Sequence, residues 1–122
     1  MTSAPLRWGD IVLVVLPGQR PQGREQEGLR PAVVVGLPPQ PLRFPLLLLA
    51  PFTSQRGPWT EANPVLYPSV HADSLGLRKP SIVLMDQIRA CDLSRVRSRI
   101  GQLDSEGSDR VRTALRAVFA ME

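Results

Sequence analysis

Short apolar runs bounded by proline or glycine dominate the first half of the chain. They span Ile11 to Leu16, Arg30 to Leu37 and Leu46 to Phe52. Runs of this length, rich in branched side chains, indicate short buried β-strands. Three later segments complete the predicted sheet, and these are Pro64 to Tyr67, Ser81 to Ala90 and Val96 to Leu103.

The last part of the chain has the periodicity of a helix. Its apolar side chains recur every three or four residues, at Val111, Ala114, Leu115, Val118 and Phe119. This spacing predicts one apolar face, and Asp104 or Ser105 can cap the first turn. Short strands joined by proline and glycine turns and followed by one helix predict an α+β fold, a small β-barrel with a C-terminal helix packed against it.

Composition limits the kind of protein. A chain of 122 residues suits one core, so we expect a single domain over residues 1–122. No stretch approaches the roughly 20 apolar residues of a membrane span, and the N-terminus lacks the pattern of a signal peptide. We therefore expect a cytoplasmic protein with no membrane partner. The single cysteine, Cys91, excludes an intrachain disulfide and agrees with a reducing compartment.

The net charge of +4, from 15 basic and 11 acidic residues, indicates an anionic partner. All the basic residues except Lys79 are arginine. Guanidinium groups bind phosphate with two parallel hydrogen bonds and stack on bases, which suits RNA. Genomic base composition also enriches arginine over lysine, so only the sign of the charge bears on the partner.

The most informative segment joins a polar loop to the second strand. Residues 17–28 hold two prolines and three glycines, and a loop this long in a small domain is more often functional than idle. Arg30 follows it directly. Pro31 fixes its own φ and favours extended geometry at Arg30, while residues 33–35 anchor the strand in the core. We therefore expect Arg30 to be held at a rigid position.

Three segments, in this order, resemble the motifs of the MazF/PemK family, the mRNA interferase toxins of type II toxin–antitoxin systems. They are Gly23 to Val35, Pro51 to Gln55 and Ser81 to Arg89. The first resembles the signature G-x-E-Q-x-G-x-R-P-x-V-V. The resemblance extends from Gly9-Asp10 to the last helix. It implies an SH3-like barrel, a homodimer, a cognate antitoxin with an acidic tail, and a ribonuclease that leaves 2′,3′-cyclic phosphate and 5′-OH ends on single-stranded RNA.

Attack of the RNA 2′-OH on the adjacent phosphorus needs a base, donors for the phosphorane oxygens and an acid for the leaving oxygen. It requires no metal or cofactor, and we expect none, since no metal-type spacing of His, Cys, Asp and Glu is present. The resemblance implies that Arg30 stabilises charge and takes part in proton transfer, and that Thr53 is the second catalytic residue. Because arginine is a poor base, we expect help from Glu25 or Asp86, which match motif positions.

The expected RNA contacts adjoin these residues and carry hydrogen-bond donors. They are Gln26, Ser54, Gln55, Arg56, Gln87 and Arg89. Several alternatives stay open. The Thr53 hydroxyl can instead satisfy only a backbone group, Asp86-Gln87 can form only a turn between strands, and His71 can be the base although it lies outside the motifs. A barrel that binds RNA or protein without cutting, and a topoisomerase-binding toxin of the same fold, are the rival functions.

Overall fold

The computed structural model describes residues 5–18, 23, 28–70 and 80–121. Over these residues the chain forms seven strands and two α-helices. In chain order they are β1 (Asp10–Leu16), β2 (Gly28–Gly36), β3 (Leu46–Thr53), α1 (Pro58–Ala62), β4 (Ser69–Val70), β5 (Ser81–Val83), β6 (Arg89–Asp92), β7 (Val96–Gln102) and α2 (Ser105–Val118). Short 3-10 turns at Met85–Gln87 and Leu93–Arg95 flank β6. No helix among them is long and apolar enough to cross a membrane.

The strands form one curled antiparallel sheet in the order β4-β5-β3-β2-β1-β7. Strand β3 is shared by two partners on the same side. Its first half, Leu46 to Leu49, pairs with β6, and its last two residues, Phe52 and Thr53, pair with β5. The resulting half-barrel with a C-terminal helix confirms the predicted α+β fold.

Both faces of the sheet carry buried apolar side chains. Neighbouring residues of each strand point to opposite faces, so these side chains form two separate clusters. On one face, Val33 and Phe52 pack with Val111 and Ala114 of α2. On the other face, the curl of the sheet brings together the side chains of Val12, Val14, Leu16, Ala32, Val34, Leu47, Leu49 and Cys91. Burial raises the pKa of the Cys91 thiol. The helix therefore covers one face, and the second cluster of apolar side chains lies on the other.

The C-terminal helix begins where the sequence predicts. Oδ1 of Asp104 accepts a hydrogen bond from the backbone nitrogen of Gly107 at 2.7 Å, which satisfies one of the free donors of the first turn. Val111 and Ala114 are fully buried. The prediction that Phe119 belongs to the buried face is wrong, because it lies just past the helix and is 54% exposed.

Two strand predictions are wrong. Residues 64–66 form a turn, closed by a hydrogen bond from the Leu66 nitrogen to the Asn63 oxygen at 3.1 Å. This turn connects the end of α1 at Ala62 to β4, which begins at Ser69. The predicted strand over residues 81–90 is split into β5 and β6. Five residues separate Val83 from Arg89, whereas two separate their β3 partners, and the 3-10 turn takes up the excess.

Candidate active site

The sheet brings the two proposed catalytic side chains to one level. Strand β2 pairs with β3 through Ala32 and Pro51, and the same register continued by two residues sets Arg30 opposite Thr53. Arg30 also pairs with Val14 of β1. Opposite residues of antiparallel strands point to the same face. Arg30 and Thr53 therefore leave the sheet on the face opposite α2.

Local sequence explains how Arg30 is held. Gly28 has a φ of +84°, a conformation that favours glycine at the start of the strand. Residues 28–31 pair with β1 alone, and the pairing with β3 begins at Ala32. Pro31 lacks a backbone N–H and is tolerated because it precedes the β3 ladder. Arg30 is exposed, so its backbone is fixed on one side while its guanidinium reaches solvent.

The Thr53 hydroxyl has one assigned partner. Its oxygen accepts a hydrogen bond from the backbone nitrogen of Gln55 at 3.1 Å, so the backbone-satisfying role considered for Thr53 does exist. The hydroxyl proton remains available for donation, because only an oxygen lone pair is used. Ser54, Gln55 and Arg56 continue from Thr53 as an exposed loop before α1. The loop thus begins with a hydroxyl group that can still donate a hydrogen bond.

Asp86 lies in the 3-10 turn between β5 and β6, so a turn is present there, and the choice between a structural and a catalytic role for Asp86 stays open. Its Oδ2 accepts a hydrogen bond from the Tyr67 hydroxyl at 2.8 Å. That hydrogen bond, with smaller contributions from burial and the carboxylate charge, raises the pKa of Tyr67. Gln87 ends the turn and Arg89 pairs with Leu49 at the start of β6.

Three candidates, Glu25, Gln26 and His71, lie outside the described residues. The choice of base among Glu25, Asp86 and His71 therefore stays a prediction. Within residues 5–18, 28–70 and 80–121, no group of three His, Cys, Asp or Glu side chains could hold a metal ion.

Sequence reasoning missed a second feature near these residues. The Trp59 ring meets the Tyr67 ring edge to face, with centroids 4.8 Å apart. Trp59 is 39% exposed, whereas Phe52 is buried in the core. Tyr67 also lines a cleft of about 580 Å³ beside α1. No periodic pattern marks Tyr67, because it lies in a turn.

The fold and the site define a small α+β half-barrel protein that presents a guanidinium and a hydroxyl at one level of its sheet. A family model described as the PemK-like, MazF-like toxin of type II toxin–antitoxin systems matches residues 7–119. The chain therefore belongs to this toxin family, which confirms the resemblance seen in the three motifs.

Named relatives agree with this assignment. Endoribonuclease EndoA of Bacillus subtilis strain 168 is 30% identical over 99 residues, which are 81% of this chain and 83% of EndoA. Endoribonuclease MazF of Staphylococcus saprophyticus is 27% identical over 110 residues, 90% of this chain and 88% of its own.

Solved structures show the same fold. A crystal structure of MazF from Deinococcus radiodurans superposes with a TM-score of 0.70 at 24% identity and covers 93% of this chain and 96% of its own. A MazE–MazF crystal structure from the same organism has a TM-score of 0.65 at 25% identity and covers 93% and 95%. The half-barrel and its C-terminal helix are therefore those of MazF structures.

Proposed function

We propose that this protein is an endoribonuclease toxin that cleaves single-stranded RNA at a short sequence and leaves 2′,3′-cyclic phosphate and 5′-OH ends. The observation that carries the proposal is the β2–β3 register, which, extended two residues past the Ala32–Pro51 pair, sets Arg30 opposite Thr53. Membership of the toxin family and the endoribonuclease names of two relatives support the activity. The family model spans residues 7–119, which supports one toxin domain over residues 1–122.

The proposed chemistry needs only groups of the chain itself. The Arg30 guanidinium stabilises the charge that develops on the phosphorane oxygens and takes part in proton transfer. The Thr53 hydroxyl donates a hydrogen bond to the same phosphoryl group, since its oxygen already accepts from Gln55. A carboxylate, from Glu25 or Asp86, removes the proton of the attacking 2′-OH. No metal ion or cofactor has a step in this scheme.

The proposed RNA contacts surround these two residues. Ser54, Gln55 and Arg56 form the exposed loop that follows Thr53, and single-stranded RNA offers both phosphates and base edges to such side chains. Gln87 is the last residue of the 3-10 turn, and Arg89 is the first residue of β6. Gln26 completes the proposed set from the loop before β2.

The proposed partner proteins follow from the family. The protein would act as a homodimer, and a cognate antitoxin with an acidic, disordered tail would cover its basic surface and block RNA. The MazE–MazF structure from Deinococcus radiodurans supports a complex of this kind. A cytoplasmic location would give the toxin access to cellular RNA.

The test is incubation of the purified protein with a long defined RNA in excess EDTA, followed by mapping of cut positions and end groups. Arg30→Ala should reduce cleavage by about 10² or more, as expected for loss of one transition-state donor, with an unchanged circular dichroism spectrum. Arg43→Ala is the matched control, because Arg43 stacks on Phe44 away from this level of the sheet. Near wild-type turnover of Arg30→Ala would remove Arg30 from the site.

The same assay separates the rival functions and the candidate bases. Binding of RNA without any cut would favour a binding module, and inhibition of DNA supercoiling without RNA cleavage would favour a topoisomerase-binding toxin. Glu25→Gln and Asp86→Asn should differ: the variant that lacks the base loses cleavage and the acidic limb of its pH profile. If both cleave normally and His71→Ala does not, the base is His71.

A further inference from the structure

A cleft of about 580 Å³ lies beyond the β4 edge of the sheet, between α1, the turn after it and the outer side of α2. This volume is typical of ligand sites in proteins. The lining side chains that matter here are Arg56, Glu61, Tyr67, Ser69, Ile82 and Arg110. The cleft is thus built from three elements that the sequence pattern did not place together.

Two of the charged side chains at this cleft are already paired. Arg110 binds the Glu106 carboxylate and donates from Nη1 to the Ser69 carbonyl oxygen at 3.0 Å. The Asp109 carboxylate lies 3.7 Å from the Arg112 guanidinium. These contacts fix the α2 side of the cleft and neutralise its charges.

The other two charged side chains are not committed. Neither Arg56 nor Glu61 forms an ion pair or a side-chain hydrogen bond with another residue that the structure describes. Arg56 is a cation that can bind phosphate with two parallel hydrogen bonds. Glu61 is an acceptor that can take a hydrogen bond from the amino group of a base. A ligand that satisfies both must carry an anion and an N–H donor, as a nucleotide does, whereas an acidic peptide would be repelled by Glu61.

The position of the cleft relates it to the cleavage site. Ser69 of β4 pairs with Ile82 of β5, and Ile82 pairs with Thr53 of β3. Two strand spacings, about 10 Å, therefore separate Ser69 from Thr53. Arg56 follows Thr53 by three positions on the connecting loop. Because paired residues of antiparallel strands point to the same face, Ser69 and Ile82 lie on the face of Thr53, and the cleft extends from there past the β4 edge to α2. A nucleotide in the cleft would therefore be next to the nucleotide that is cut.

We propose that this cleft holds one nucleotide of the RNA beside the cleaved bond, with Arg56 on its phosphate and Glu61 accepting from the amino group of its base. The inference rests on the proposed ribonuclease function. Tyr67 supplies an aromatic wall of the kind on which RNA bases stack. Uracil has no exocyclic amino group, and its single donor, N3–H, lies between two carbonyl oxygens that a carboxylate repels, so adenine, cytosine or guanine is expected at this position.

Cleavage of an RNA library with randomised positions on both sides of the cut tests the role of Glu61. The wild-type protein should disfavour uracil at one flanking position, and Glu61→Gln should reduce that discrimination about tenfold, because the glutamine amide can donate to the O4 oxygen of uracil. Asp92→Asn is the matched control, since Asp92 is outside the cleft and bonds to the Ser94 nitrogen. An unchanged preference in Glu61→Gln would overturn the inference.

Salt dependence tests the role of Arg56. Binding of a short RNA is measured in an Arg30→Ala background, which prevents cleavage, with and without Arg56→Ala. Loss of one phosphate contact should weaken binding equally for all sequences and reduce the slope of log K against log salt by about 0.7. Arg43→Ala should leave the slope unchanged. An unaltered slope in Arg56→Ala would contradict the proposed phosphate contact.

A third experiment does not depend on cleavage. AMP, CMP, GMP and UMP are titrated into the protein, and backbone amide shifts are followed by NMR. The first three should perturb residues around Arg56, Glu61 and Ser69 more than UMP does, even if the protein cuts no RNA and the proposed function fails. Equal or absent shifts, or binding of a poly-glutamate peptide at these residues in place of nucleotides, would overturn the inference.

Discussion

The buried carboxylate of Asp10 offers the sharpest test of how the sheet is held. Its side chain is fully buried at the start of β1. Oδ2 accepts a hydrogen bond from the Arg7 backbone nitrogen at 2.7 Å, and Oδ1 lies 3.2 Å from Nε of Arg99 on β7. Oδ1 has no aligned hydrogen bond among the described residues, so its contact with Arg99 is mainly one of charge. Asp10→Asn keeps the shape of the side chain and removes that charge.

The expected cost comes from two contacts. A hydrogen bond to a charged group contributes about 1.5–3 kcal/mol. The ion pair adds about 0.2–1 kcal/mol, because Arg99 is 43% exposed and water screens its charge. The side-chain amide introduced by the substitution would also turn an N–H toward one of the two donors. We therefore expect Asp10→Asn to lower the free energy of unfolding by about 2–4 kcal/mol, or Tm by about 10 °C for a chain of this length.

Urea unfolding at one fixed protein concentration measures this loss, since any self-association would shift the apparent stability. Asp92→Asn is the control, because Asp92 accepts a hydrogen bond from the Ser94 nitrogen at the surface and asparagine caps equally well. Arg99→Met should lower the free energy of unfolding more in the wild-type protein than in the Asp10→Asn variant, because only in the wild-type protein does it leave a buried carboxylate without its cation. A loss below about 0.5 kcal/mol in Asp10→Asn would refute this account of Asp10.

Two further predictions concern a titration and a helix end. Tyr67 is the only tyrosine in the chain, so its ionisation can be followed by ultraviolet absorbance, and its pKa should lie above the ordinary value of about 10 and fall in Asp86→Asn. Because the pKa of Tyr67 is raised in the folded protein, its hydrogen bond to Asp86 stabilises the fold fully below about pH 10. This stabilisation is lost as the pH rises through the folded pKa. Equal absorbance curves for the wild-type protein and Asp86→Asn would contradict this prediction. Ala120 has a φ of +53° just after α2, where glycine is preferred, so Ala120→Gly should raise the unfolding free energy by about 0.5–1 kcal/mol, and a lower Tm would argue against strain there.

The hydrophobic pattern of the sequence predicted the central strands and the C-terminal helix well. β1, β2 and β3 lie within two residues of their predicted bounds, because each is a continuous apolar run buried on both faces of the sheet, and proline or glycine ends it. The last strand, Val96–Gln102, and α2 also agree. In each case the residues that determine the element are neighbours in sequence.

Long-range contacts decided the elements that the sequence missed. The short helix α1 has Pro58 in its first turn and no side-chain cap, and five residues are too few for a helical period to be recognised. The break between β5 and β6 depends on how β3 divides its edge between two partners. Arg95, Arg97 and Arg99 alternate in the sequence, but only the last two lie on β7, since Arg95 belongs to a 3-10 turn.

The candidate site shows the same division. Arg30 and Thr53 were named from motifs, and their common level on the sheet follows from the β2–β3 register, which no local pattern contains. Glu61 and Tyr67 were not singled out, because their significance depends on the cleft that α1, β4 and α2 form together. Sequence thus indicated the candidate chemistry, and the assembled sheet edge indicated a place for the neighbouring nucleotide.

This arrangement separates rate from specificity in physical terms. Arg30 and Thr53 lie on strands within two residues of Ala32 and Phe52, which are buried in the core, so their positions change little when surface loops vary. Arg56 and Glu61 lie on an exposed loop and a five-residue helix, where substitution costs little stability. Changes at Arg30 or Thr53 should therefore alter cleavage of every RNA site. A change at Arg56 should weaken binding of every sequence, and a change at Glu61 should alter the choice among sites.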